Sequence, residues 1–75
     1  MIHICTFASY REKLGFENLE MEMPPNSTLA NLLTDSRLDR LPHNALFAIN
    51  QRFSGLDTRL NDGDEVAIMP PVSGG

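Results

Sequence analysis

The chain has 75 residues, enough for one domain that buries roughly 60% of the surface its unfolded chain exposes, and too few for a second. Hydrophobic residues make up 41% and charged residues 21%, the balance of an ordinary globular domain and not of a disordered segment. The net charge is -4 and the six basic residues are scattered, which argues against nucleic acid or a membrane surface as partner and favours a basic protein surface.

Met1 to Phe7 reads as a strand, with Ile2, Ile4 and Thr6 alternating with His3, Cys5 and Phe7. Ala8 to Leu14 suits a short helix closed by Gly15, which tolerates the left-handed conformation that ends helices. From Glu17 to Met23 the alternation is clean: Leu19, Met21 and Met23 on one face, Asn18, Glu20 and Glu22 on the other, hence a strand with one wet side. Pro24-Pro25-Asn26 breaks it. Ser27 or Thr28 then caps a helix whose Leu29, Leu32 and Leu33 form a stripe facing the sheet. Asp35 to Asn44 reads as irregular because of Pro42 and Asn44.

Leu46 to Gln51 reads as a strand with Phe47 and Ile49 inward, punctuated by Ser54-Gly55. Leu56 to Leu60 is a short irregular segment, and Asn61-Asp62-Gly63 turns the chain into a last strand, Asp64 to Pro70. There Val66 and Ile68 point inward, so Met69 joins Cys5 and Phe7 on the face left open, with Phe53 a third candidate for an exposed apolar patch. The pattern is an α+β domain over residues 1–70, a mixed sheet of about four to five strands on one main helix. Residues 71–75 are expected to form a flexible, extended C-terminal tail.

One cysteine, Cys5, excludes an internal disulfide and fits a reducing cytosol. No apolar run of about 18 residues and no signal-peptide pattern is present, so a cytoplasmic location without membrane association is expected. His3 and Cys5 share a strand face, but a zinc site needs three or four ligands and the sequence offers no further Cys or suitably spaced His. No metal is expected. Asp62-Gly63-Asp64-Glu65 lacks the spacing of a calcium loop and has the chemistry of a turn. With no phosphate loop and no Ser/His/Asp set, the chain carries no visible catalytic machinery.

The end of the chain is different. Pro70-Pro71 stiffens the root and stops the sheet, and the following Val72-Ser73-Gly74-Gly75 is slim and uncharged. Five residues from Pro71 reach at most roughly 17 Å. A narrow tether ending in a carboxylate, beside an apolar patch of Phe7, Phe53 and Met69, is suited to delivering a group into a partner.

These residues resemble the ubiquitin-like β-grasp sulfur carriers, most closely the small subunits of molybdopterin synthase. The resemblance spans nearly the whole chain, through Phe7-Ala8, Arg11-Glu12, Gly15, Ser27-Thr28-Leu29, Leu32-Leu33, Ala48-Ile49-Asn50-Gln51, Leu60, Asp62 to Val66 and Pro70 to Gly75. Pro-Pro-Val-Ser-Gly-Gly is its specific part. Gly-Gly alone would equally suit a ubiquitin-type modifier or the carrier of the thiamine pathway. Asp35 to Leu46, with Arg37 and Arg40, departs most from the pattern.

The resemblance implies a β-grasp fold and a non-catalytic sulfur-carrier subunit. The Gly75 carboxylate would be adenylylated by an E1-like activating enzyme that uses ATP, then converted to a thiocarboxylate by a persulfide sulfur donor. Gly74, Ser73 and Val72 would pass through a channel in the large subunit, where the sulfur reaches a cyclic pterin precursor. Phe7, Phe53 and Met69 would bind partners. The chain itself would bind no cofactor, and the assembled complex would hold two small and two large subunits.

Overall fold

The computed structural model describes residues 1–7, 9–38, 41 and 44–71. Among them run β1 (Ile2–Thr6), α1 (Ser9–Leu14), β2 (Asn18–Met21), α2 (Leu29–Leu32), a 3-10 turn (Ser36–Leu38), β3 (Leu46–Ile49), β4 (Arg52–Phe53) and β5 (Glu65–Met69). The five strands form one sheet in the order β2-β1-β5-β3-β4. β1 and β5 pair in parallel, while the other neighbours are antiparallel. The sheet is therefore mixed, with the first and last strands side by side near its centre, as the β-grasp expectation requires.

Strand alternation decides the two faces. Ile2 and Ile4 of β1, Met21 of β2, Ile49 of β3, and Val66 and Ile68 of β5 point to the helical side and join Leu29, Leu32, Leu38, Tyr10 and Leu60 in one core. Ile4, Leu29, Leu32, Val66 and Ile68 are completely enclosed. Phe47 packs against the same core while half-buried. Thr6 takes the inward place after Ile4, and its hydroxyl donates to the Phe16 carbonyl. No buried side-chain nitrogen or oxygen among the described residues lacks a partner.

α2 is a single turn. Thr28 is its N-cap: its hydroxyl accepts from the Asn31 amide, and the Asn31 side chain accepts in return from the Thr28 amide, a reciprocal capping box. Leu29 and Ala30 donate their amides to Thr58 and Leu56, so the segment after β4 crosses the start of the helix. The helix stops at Leu33 because Thr34 and Asp35 offer the backbone other partners. The Thr34 hydroxyl donates to the Asn31 carbonyl at 2.7 Å, and the Asp35 carboxylate accepts from the Arg37 amide and guanidinium, each at 2.9 Å. These bonds with Arg37 hold the Asp35 carboxyl down at about 2. The leucine stripe survives the short helix, since the 3-10 turn carries Leu38 into the core.

Element boundaries differ from the sequence expectation by a residue or two at several strand ends. β2 ends at Met21, although Met23 still packs on the core. α1 is described from Ser9, Ala8 lying outside the described residues. The strand expected over Leu46 to Gln51 stops at Ile49, where Asn50 (φ 51) and Gln51 (φ 71) both enter the left-handed region and reverse the chain into β4. Two successive positive φ angles are the demand of a type I′ hairpin, and Asn-Gln is an uncommon way to meet it. Asn50 compensates through its side chain, which donates to Asp64 at 2.9 Å and accepts from the Glu65 amide at 3.1 Å, fastening the turn to the start of β5. Gly63 (φ 88) supplies the turn before β5, and its neighbour Asp62 takes the N-terminal ammonium of Met1, which lowers the Asp62 carboxyl.

The packing yields two stability expectations, both readable by urea unfolding. Leu32→Ala removes a fully enclosed side chain and should cost about 2–5 kcal/mol, whereas Phe53→Ala, at a side chain 74% exposed, should stay within about 0.5 kcal/mol. Gln51→Gly relieves a left-handed residue costing about 1–2 kcal/mol and adds roughly 0.5–1 kcal/mol of backbone entropy cost. A net gain of about 0.5 kcal/mol is expected.

Candidate functional site

The face of the sheet away from the helices is uncovered, and strand register arranges it in rows. The row at the C-terminal end of β5 holds Met69 with Leu46 opposite, and Phe7 follows β1 beside them, its amide donating to the Ile68 carbonyl at 3.2 Å. The middle row runs Asn18, Cys5, Ala67, Ala48 and Phe53. The far row holds Glu20, His3 and Glu65. One end of this face is apolar and the other is polar.

The apolar end adjoins the root of the tail. β5 stops at Met69 because Pro70 and Pro71 have no amide to continue the ladder. Phe7 is 49% exposed and Phe53 74%, while Met69 is half-buried. Met69 and Phe7 meet at the root as expected from the sequence. Phe53 stands two strands from β5 and one row back, with Leu46 of β3, the partner of Met69, between them. There it borders a groove of about 440 Å³ with Leu46, Phe47 and the half-exposed Leu56. Leu46 and Leu56 were not singled out in the sequence. The alternation that turns Phe47 inward also turns Leu46 outward, so a signal for Leu46 was present; Leu56 lies in a loop without periodicity.

The tail residues Val72, Ser73, Gly74 and Gly75 lie outside the described residues, as does His43. Their proposed roles rest on the sequence and on the position of the root.

At the polar end the structure adds a residue that sequence spacing did not offer. Parallel pairing places Glu65 beside His3, and the potential ligand atoms of His3, Cys5 and Glu65 lie within 4.8 Å of one another. Cys5 is a half-buried free thiol. Burial, together with the charges of Glu65 and Glu17, pushes its pKa up, so at neutral pH it stays a thiol and is a poor nucleophile. The geometry gives no support to a Cys/His catalytic dyad: both His3 and Cys5 turn to the Asn18 carboxamide oxygen, at 3.1 and 3.6 Å.

Comparison with known proteins bears on the whole chain. The model of the ThiS family matches residues 4–75. The "Molybdopterin synthase sulfur carrier subunit" of Chlamydomonas reinhardtii is 35% identical over 81 residues, covering 99% of this chain and 98% of the relative. Its counterpart of the same name in Escherichia coli (strain K12) is also 35% identical, over 88 residues and all of both chains. Among solved structures, a chain in the complex of subunits 1 and 2 of molybdopterin-converting factor from Helicobacter pylori superposes with a TM-score of 0.67 at 24% identity, covering 99% of this chain and 97% of that one, a likeness of fold. On the family match and the full-length relatives together, this chain belongs to the ThiS family.

Proposed function

We propose that this protein is the sulfur-carrier subunit of molybdopterin synthase, a small non-catalytic partner that works in the cytoplasm. The observation that carries the reading is full-length similarity to sulfur carrier subunits of that enzyme, joined to a fold whose last strand runs straight into a Pro70-Pro71 root before Val72-Ser73-Gly74-Gly75.

The chemistry follows from the weakness of a carboxylate as an acyl donor. The Gly75 carboxylate attacks the α-phosphate of ATP on an activating enzyme, pyrophosphate leaves, and an acyl-adenylate results. The outer sulfur of a persulfide donor then displaces AMP to give an acyl disulfide, and a second thiol attacks the donor's sulfur, releasing the C-terminal thiocarboxylate and leaving a disulfide between the two thiols. In the large subunit this sulfur attacks the cyclic pterin precursor, water cleaves the resulting thioester to leave the sulfur on the pterin and restore the Gly75 carboxylate, and two deliveries complete a dithiolene. Holding the sulfur at the substrate replaces a bimolecular encounter by a local one, which is the source of rate in such a carrier.

Each nominated residue has a physical task. Gly74 has no Cβ, so it passes a channel closed to larger residues. Ser73 and Val72 extend the tether, and with Pro71 they set its reach. Phe7 and Met69 form the apolar seat beside the root, and Phe53 offers a second contact across the sheet. A large subunit that covers the apolar end of this face and takes in the tail would contribute the acid/base and anion-binding groups. ATP is consumed by the activating enzyme, and no cofactor is assigned to this chain. Two copies of each subunit form the proposed assembly.

Co-expression with an E1-like activating enzyme and a sulfur source should raise the intact mass by the exchange of one oxygen for sulfur at Gly75. The protein should also restore molybdenum cofactor synthesis in cells lacking their own small subunit. An unchanged mass under conditions that sulfurate a known carrier removes the carrier reading, and rescue of thiamine synthesis alone moves it to the other pathway. Two substitutions separate the tail from the seat. Gly74→Ala should leave thermal unfolding and large-subunit affinity near the parent values while sulfur transfer is lost. Met69→Glu should weaken large-subunit binding by about tenfold or more, measured by titration calorimetry.

A further inference from the structure

We propose that His3, Cys5 and Glu65 form an open, three-ligand zinc site on the uncovered face of the sheet, at the end away from the tail. Two features of the backbone build it. Period-two alternation puts His3 and Cys5 on one face of β1, and the parallel pairing of β1 with β5 sets Glu65 directly beside His3. The three ligand atoms fall within 4.8 Å of one another. A tetrahedral zinc ion with ordinary Zn–N, Zn–O and Zn–S bonds requires ligand separations of roughly 3.3–3.8 Å. Rotation of partly exposed side chains covers the difference, and the strands need not move.

The surroundings suit a cation in a second, independent way. The imidazole of His3 has an oxygen beside each nitrogen: Asn18 Oδ1 is 3.1 Å from Nε2, and Glu20 Oε1 is 3.9 Å from Nδ1. Whichever nitrogen takes the metal, the other can donate its proton to a carboxamide or carboxylate, the arrangement that orients metal-bound histidines. Asn18 Oδ1 also lies 3.6 Å from the Cys5 sulfur, so one oxygen beside the site faces both the imidazole and the thiol. Glu20 and Glu65 in the same row, with Glu17 near Cys5, give the patch a negative field.

The donor set selects the metal. One imidazole, one thiolate and one carboxylate disfavour magnesium and calcium, which take oxygen ligands, and match zinc. Three protein ligands leave one tetrahedral position for water. Binding exchanges the Cys5 thiol proton for the metal, and the released proton passes to solvent. The ion would tie the first strand to the last between the middle and far rows, so it would brace the sheet without occupying the tail root.

The test uses the whole reduced protein, free of metal, with cobalt(II) as a spectroscopic probe and zinc as competitor. One equivalent of cobalt should give the visible bands of a tetrahedral ion and a thiolate charge-transfer band, and zinc should displace both. Zinc should also raise the thermal unfolding midpoint. Cys5→Ser should abolish the charge-transfer band, and His3→Ala and Glu65→Gln should each weaken zinc binding by about tenfold or more. Asp57→Asn, at an exposed carboxylate outside the cluster, should leave binding unchanged. Unfolding midpoints of the metal-free variants near that of the parent exclude misfolding as the cause. A cobalt spectrum without a thiolate band, no stoichiometric binding, or binding indifferent to all three substitutions overturns the proposal.

Discussion

The parallel pairing of β1 with β5 is the constraint on which the rest of the molecule depends. It joins residues about as far apart in sequence as the chain permits, from His3 beside Glu65 to Thr6 beside Ile68. The loop-closure cost of such a contact grows only slowly with length, but nothing local repays it, so side-chain burial has to. Ile4, Val66 and Ile68 supply that burial, since all are completely enclosed beneath the helical layer. β2 and β3 then add to the outer edges of this central pair, and β4 adds to β3. With no disulfide available to Cys5, this apolar ridge and the leucines above it carry the fold.

The same pairing fixes what the surface can do. Because β5 runs in the direction of β1, its C-terminal end emerges beside Phe7, and the chain leaves the sheet next to an apolar seat. An antiparallel last strand would have released the tail at the opposite end, near His3 and Glu20. The short α2 matters less to this outcome than its leucines. A one-turn helix has little stability of its own, and here its first amides are held by Thr58 and Leu56 and its cap by Asn31.

What the sequence disclosed follows from which forces act locally. Alternation in Ile2 to Phe7 and in Glu65 to Met69 reported the buried face correctly, because burial acts on each side chain through its own position. Thr28 and Gly15 were legible as cap and stop for the same reason: their partners are within a few residues. The Asn50-Gln51 reversal was not, since a left-handed glutamine has no sequence signature and the turn is held by bonds from Asn50 to Asp64 and Glu65, far along the chain. Glu65 as a neighbour of His3 was hidden likewise. Spacing along one strand shows His3 and Cys5 on a common face, but the third group arrives only through a pairing that closes the whole chain. The lateral place of Phe53, two strands from β5, was likewise set by pairing and not by spacing along one strand.

Placing the reactive group on a tail resolves a conflict that a domain this small cannot resolve internally. A buried nucleophile or acyl group would need polar partners in the core, yet the inner face has room only for the apolar contacts that hold the sheet, and its few polar atoms are already paired. Each polar group added there would subtract from a stability that small cores barely secure. The outer face and the tail bear no such burden. The outer face can present an apolar end to a partner and a ligand-rich end to a cation. A carrier that must be charged by one protein and discharged by another gains from this separation, since both partners meet the same folded body whatever the terminus carries.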